Sequence, residues 1–425
     1  MPFQNLRKYI IQQLQEEQGR ETLDFRNTFS EILQRETSQE EALIILMVLA
    51  PHVFSGFYES IFNELHPNGG EFPEWGGIKD EQYRSMQPTG ETIQHITGRN
   101  DVKKRLLLQS YFETEHWFFK EQILYISSVK EGMPFMSGKI ILPQESLSLL
   151  MYGKLLKPKF GPDFPAKELS TLMEWEDLVL NKKTLVQIDQ LRLWIKHHKT
   201  LREDWAMEKR VSPGYKALFY GPSGTGKTLT VSLLGKEFNR PVYRIDLSQI
   251  VSKYIGETEK NLEKIFIRAE NKDWILFFDE ADSLFGKRTN TRSAQDRFAN
   301  QGVSYLLQRI ENFNGVVILA SNYKNNIDQA FIRRFNAMIM FTKPNAQERL
   351  QLWKMAIPKP ISVDENLLKK LAEAYELTGA QIVNTITYSC LQAAEEKEKK
   401  ISRENILNAI RIEFQKEEKM FTKLH

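Results

Sequence analysis

Gly221-Pro-Ser-Gly-Thr-Gly-Lys-Thr228 decides the reading of this chain. Four residues separate Gly221 from Gly226-Lys227-Thr228, and the stretch follows the apolar run KALFY (216–220) and opens a helical pattern. Glycines at this spacing let consecutive backbone N–H groups turn toward phosphate oxygens, and the helix N-terminus adds positive potential. Lys227 supplies a point charge to the β- and γ-phosphates, and the Thr228 hydroxyl is a hard ligand for Mg²⁺. The expected nucleotide contacts are therefore Pro222, Ser223, Gly224, Thr225, Gly226, Lys227, Thr228 and Leu229.

The second chemical element is Ile275-Leu-Phe-Phe-Asp-Glu-Ala-Asp282. A parallel strand presents its carboxyl end to the ligand crevice, so Asp279 lands beside the phosphates and is expected to hold Mg²⁺ through water. Glu280 follows at once, where a carboxylate can orient and deprotonate an attacking water. The same residues would also suit an acidic turn capping a helix, but the phosphate loop upstream selects the catalytic reading. P-loop kinases and GTPases need no Glu here, so the Asp-Glu pair favours hydrolysis.

Outward from these motifs, KALFY (216–220), PVYRID (241–246), ILFFD (275–279), VVILAS (316–321) and MIMF (338–341) alternate with helical patterns. Continuous apolar strands separated by helices predict a parallel sheet buried on both faces. After Pro344 the pattern is helical only, through AQERLQLWKMA, DENLLKKLAEAY, AQIVNTITYSCLQAAEE and RENILNAIRIEFQKEE. Upstream, Pro158, Gly161, Pro162 and Pro165 suit a stiff, extended linker. The expected organisation is an N-terminal domain and linker (1–172), an α/β P-loop NTPase domain with a parallel sheet flanked by helices (173–342), and an α-helical lid (343–425). The N-terminal domain is expected to be mainly helical.

Composition narrows the function classes. Apolar residues make up 41% and charged residues 27% of 425, a globular mixture, and a net charge of +3 makes no electrostatic case for nucleic acid. The lone Cys390 excludes a disulfide framework within the chain and suits a reducing cytoplasm, the expected location. Leu6, Ile10 and Leu14 read as one face of an amphipathic helix, and the apolar run 42–50 is about half the length of a membrane span, so a buried helix is expected. The seven histidines lack partner cysteines and are read as surface or core residues, without a metal role.

From Trp175 onward the chain resembles the AAA family of ATPases, and further features match it in order. Ser252-Lys-Tyr-Ile-Gly-Glu-Thr-Glu259 resembles the first pore loop, so Tyr254 and Ile255 would line a central channel, although both also suit ordinary core positions. Asn322 resembles the polar sensor, and Arg333-Arg334-Phe335 resembles the paired arginine fingers that act on the neighbouring subunit's ATP. Asp296, Arg297 and Asn300 resemble the region before the sensor strand, Gly379-Ala380 the lid position, and the segment 175–179 the stretch whose backbone contacts adenine. The resemblance implies ATP and Mg²⁺ as cofactors, a homo-hexameric ring and a protein client. Pro88-Thr-Gly-Glu-Thr92, Phe135-Met-Ser-Gly-Lys139 and Phe160-Gly-Pro-Asp-Phe-Pro165 add a resemblance to ATPases encoded with bacterial contractile phage-tail-like injection systems. A protein remodeller is the expected function. An ATP-dependent assembly or termination scaffold and a nucleic-acid translocase stay open beside it.

Overall fold

The computed structural model describes residues 2–15, 22–70, 73–79, 83–154, 158, 160–161, 164–212, 214–247, 257–270, 272–282, 294–322, 332–418 and 420–422, with backbone alone at 294–301 and 303. The chain divides into two compact units, Met1–Pro158 and Lys159–His425.

In the first unit, α1 (Pro2–Gln15) buries Leu6 and Ile10, the face expected from their spacing. α2 (Gln39–Val53) is apolar all round and is buried without a break from Ala42 to Pro51, which places it at the centre of this unit's core. Ser38 and Glu41 form a capping box at its start. Glu41 also accepts from Trp117 Nε1 at 2.6 Å and lies 3.0 Å from His116 Nε2, which ties this helix start to a segment far along the chain. α3 (Phe57–Leu65), α4 (Val102–Ser110), a two-residue hairpin of β1 (Tyr125–Ile126) and β2 (Ile140–Ile141), and α5 (Gln144–Tyr152) surround that core. Among the described residues, no single helix is long and apolar enough to cross a membrane.

Two of the short N-terminal segments singled out in the sequence meet here. Gly90 N–H donates to Gly138 O at 3.3 Å, and Ile140 N–H donates to Pro88 O at 3.1 Å. A Cβ at residue 90 would lie 2.8 Å from Met136 O, so only glycine permits this approach.

The second unit is built on a six-stranded sheet. β3 (Lys167–Leu169), β4 (Tyr215–Tyr220), β5 (Val242–Asp246), β6 (Ile275–Asp279), β7 (Val316–Ser321) and β8 (Ala337–Met340) lie in the order β3-β5-β6-β7-β4-β8. All pairings are parallel except β3–β5. The largely apolar runs serve two faces. Ala217, Phe219, Ile275, Phe277, Val316 and Ile318 pack with α6 (Lys182–Lys199) and α7 (Lys227–Glu237). Leu218, Leu276, Phe278, Val317 and Leu319 pack with α8 (Glu257–Ala269) and α9 (Ala294–Asn312). Side chains alternate across a strand, so a strand covered on both sides is apolar at most of its positions rather than at every second one.

The expected linker behaves differently from its sequence reading. Phe164 and Ala166 are buried in the sheet's core, Phe164 packs edge-on against Tyr243, and residues 167–169 form the antiparallel edge strand. Prolines at 162 and 165 predict an extended chain, and an extended chain is what a sheet edge accepts.

The last four helices form the lid: α10 (Ala346–Ala356), α11 (Glu365–Ala374), α12 (Gly379–Glu395) and α13 (Arg403–Lys416). Asn345, Asp364, Thr378 and Ser402 cap them, each side chain accepting a backbone N–H in the first turn. Their apolar faces close on Trp353, Leu371, Ile382, Ile406 and Ile410.

Candidate nucleotide site

The site forms where β4 ends and α7 begins, at the carboxyl edge of the sheet. Gly221 has φ +140° and lies so close to β8 that a side chain there would collide with the Phe341 carbonyl. Gly224 and Gly226 also have positive φ, at +73° and +99°, which turns the loop into the α7 N-terminus. Lys227 is the first residue of that helix, and its Nζ donates to Gly221 O at 2.6 Å, Pro222 O at 3.0 Å and Asn322 Oδ1 at 3.2 Å. Burial pushes the Lys227 amine below its ordinary pKa, and the carboxylates of Asp279 and Asp282 push it back up. The ammonium is thus held inside the loop by carbonyls that a phosphate would outbid in charge.

β6 and β7 deliver the acidic side. Asp279 ends β6, and its Oδ2 lies 3.0 Å from Arg244 Nη2 on β5. Glu280 N–H donates to Asp279 Oδ1 at 3.0 Å, and Ala281 N–H donates to Ala320 O at 2.9 Å, so the turn after β6 is pinned to β7. Glu280 sits at φ +54°, a left-handed conformation that costs of order 1 kcal/mol or more for such a residue. Strain of that kind persists where the surroundings over-determine a position. Asn322 N–H donates to Asp282 Oδ1 at 3.0 Å, which orients the amide that meets Lys227.

One cavity of about 590 Å³ collects these groups. Ser223–Leu229 line it with Arg244, Asp279, Glu280 and Asn322 on one side and Leu178–Asn181 on another. The lid contributes Gly379, Ala380 and Asn384. Its contact with the loop is direct, since Ala380 N–H donates to Gly224 O at 3.2 Å. Across the mouth, Asn181 Nδ2 donates to Thr342 Oγ1 at 2.6 Å, joining the α6 cap to the segment leading into the lid. The segment carrying 175–179 is braced from below by Glu237 at the end of α7. That carboxylate accepts Trp175 Nε1 at 2.9 Å and Arg192 Nη2 at 2.7 Å.

The donor set suits magnesium. Thr228 and Asp279 offer hard oxygens, and Mg²⁺ keeps most of its waters and takes few protein ligands beside a nucleotide's phosphates. No cluster of three or more His, Cys, Asp or Glu able to hold a metal occurs among the described residues.

Of the residues expected from sequence, 223–229, Asp279, Glu280 and Asn322 share this cavity, and Pro222 contributes its carbonyl to Lys227. Arg333 and Arg334 do not line it. Both are exposed, and Arg334 Nε lies 3.5 Å from Glu311 Oε1. Asn336, just beyond them, holds β4 through its Oδ1, which accepts Lys216 N–H at 2.8 Å. Tyr254 and Ile255 lie outside the described residues, as do the side chains of Asp296, Arg297 and Asn300. Sequence reasoning missed Arg244 and Asp282. The signal for Arg244 was a basic residue interrupting the apolar run PVYRID, in a strand covered on both faces.

A mostly parallel sheet in which β4 feeds a glycine loop, a buried lysine and a helix N-terminus, with acids from β6 on the far side of β7, is the P-loop nucleoside triphosphatase fold. Residues 217–343 match the family model for the ATPase family associated with various cellular activities (AAA). Among curated relatives, an uncharacterized AAA family ATPase of Sinorhizobium fredii is 31% identical over 201 residues, 47% of this chain and 60% of the relative. The proteasome-activating nucleotidase of Methanococcus vannielii is 31% identical over 209 residues, 47% and 51% of the two chains. The 26S proteasome regulatory subunit 10B homolog A of Arabidopsis thaliana is 29% identical over 211 residues, 47% and 52%. The chain thus spans about half to three fifths of the length of these relatives.

Proposed function

We propose that this chain is an ATP-hydrolysing ring ATPase that remodels or unfolds a protein client. The observation that carries the reading is the convergence of Lys227, Asp279, Glu280 and Asn322 on one cavity, with Lys227 bonded to Asn322. In the proposed reaction, Lys227 and the loop N–H groups bind the β- and γ-phosphates, and Thr228, with Asp279 through water, would hold an Mg²⁺ that would neutralise phosphate charge. Glu280 orients a water and takes its proton as the water oxygen bonds to the γ-phosphorus. The bond to the bridging oxygen breaks, and ADP leaves with that electron pair. Asn322 helps to hold the water. Arg333 and Arg334, exposed on the surface, act on the neighbouring subunit's ATP in a homo-hexamer.

Relatives named for proteasome activation and regulation support a polypeptide client, gripped by Tyr254 and Ile255 in a central channel. The resemblance of the segments 88–92, 135–139 and 160–165 to ATPases encoded with such systems is the ground for proposing a place in a cytoplasmic contractile, phage-tail-like injection system, with a particle component as client. A net charge of +3 gives nucleic acid no matching support. The test is Tyr254→Ala in the full chain. ATP hydrolysis is expected to stay near wild type while client disassembly is lost, because an aromatic side chain grips polypeptide by apolar contact. Normal client processing would replace the threading motor with an assembly scaffold. Loss of hydrolysis as well would make Tyr254 a core residue.

A further inference from the structure

Among the aromatic side chains that the first unit leaves open to water, Phe119, Tyr125 and Phe135, at 47%, 40% and 46% exposure, lie together. They line two adjoining concavities. The first, of about 440 Å³, holds all three rings with Glu113 and Glu115 at its edge. The second, of about 570 Å³, is lined by Phe135 again with Glu74, Glu91 and Arg105. Phe135 belongs to both, so they form one groove. The wall carrying Glu91, Phe135 and Met136 is made of the two segments, 88–92 and 135–139, that Gly90 allows to meet. ATP hydrolysis uses neither segment.

Exposed aromatic rings gathered on one concave surface, rather than scattered singly, mark an interaction site. Charge identifies the occupant. The groove carries four carboxylates against one guanidinium, although the chain as a whole is +3. Arg105 Nη1 donates to Arg99 O at 3.1 Å, and Lys120 Nζ lies 2.8 Å from Glu115. Glu74, Glu91 and Glu113 remain to set the sign of the rim.

We propose that this groove docks an extended segment of the protein client in which lysines or arginines alternate with aliphatic or aromatic residues. The rings take the apolar side chains, the carboxylates take the cations, and an acidic segment is repelled. The inference deepens the client reading and rests on it only for the occupant being polypeptide. Docking needs no nucleotide, so its failure is separable from failure of the ATPase.

The experiment uses the full chain without nucleotide and two fluorescein-labelled peptides. One is built of Lys, Leu and Ser over about a dozen residues, and the other carries Glu in place of Lys. Fluorescence anisotropy should show saturable binding of the basic peptide, with none of the acidic one. Phe119→Ser with Phe135→Ser should weaken binding at least about tenfold, since exposed rings at the centre of a contact carry most of its energy. Glu74→Lys with Glu113→Lys should weaken it about 3- to 10-fold and flatten its salt dependence. Both double variants alter exposed residues, and Lys227→Ala should bind the peptide like wild type. Equal binding of both peptides overturns the proposal. So does unchanged binding by the ring variant, including the case where that variant instead changes the size of the assembly, which would make the groove a contact between copies.

Discussion

Arg244 Nη2 and Asp279 Oδ2 form an ion pair of 3.0 Å between neighbouring parallel strands. In the β5–β6 register Arg244 stands beside Phe277, and Asp279 is two residues further along the same face. The guanidinium is thus aimed at the carboxylate assigned to magnesium. Arg244→Gln should lower the Mg²⁺ concentration needed for half-maximal binding of a fluorescent ADP analogue by about 3- to 10-fold, because the ion no longer competes with a charge-assisted pair. Arg244→Lys, which keeps charge but loses the planar fork, should fall between. An unchanged Mg²⁺ midpoint in the glutamine variant would mean that the pair does not oppose the metal.

The loop-to-lid contact sets a second expectation. A Cβ at Gly224 would lie 2.7 Å from Thr378 Oγ1 and 2.9 Å from the Ala380 Cβ, and the backbone there has φ +73°. Gly224→Ala should cost about 1–3 kcal/mol through strain and displacement of the α12 N-terminus. The nucleotide-induced rise in Tm should shrink with it, since the cavity is shared by loop and lid. Thermal unfolding with and without ATP measures both. A variant with the wild-type Tm rise would show that the lid contact is incidental to binding.

Arg333 and Arg334 are exposed and absent from their own chain's cavity, the arrangement expected of groups that act in trans. Arg334→Ala should lose most hydrolysis, of order 10³-fold for a full arginine-finger effect. Mixing it with Lys227→Ala should partly restore activity, because mixed rings contain some sites with both an intact loop and an intact finger. Wild-type activity from Arg334→Ala, or specific activity that stays flat on dilution to monomer, would contradict the trans role.

Much of this architecture was legible because local and global signals agree. The lid helices follow Asn345, Asp364, Thr378 and Ser402, short polar residues that cap helices by their own chemistry. The five parallel strands were visible as largely apolar runs, broken within β5 by Arg244, because both faces of the sheet are covered. The antiparallel edge strand was not, since Lys167-Glu-Leu169 is short, half-exposed and patterned like a loop. The phosphate loop is contiguous in sequence, and so it was read directly. Arg244 and Asp282 escaped because their partners, Asp279 and Asn322, are brought close by strand order rather than by chain distance. The meeting of 88–92 with 135–139 escaped for the same reason.

The central claim is that one cavity both binds ATP and turns it over through Glu280. It is tested most directly by measuring ATP binding and hydrolysis side by side for the wild type, Lys227→Ala and Glu280→Gln. Lys227 neutralises phosphate charge and Glu280 handles only water. Lys227→Ala should therefore lose binding, and Glu280→Gln should bind ATP as tightly as wild type while hydrolysis falls about 10²-fold or more. Wild-type turnover by Glu280→Gln, or undiminished ATP binding by Lys227→Ala, would contradict the account.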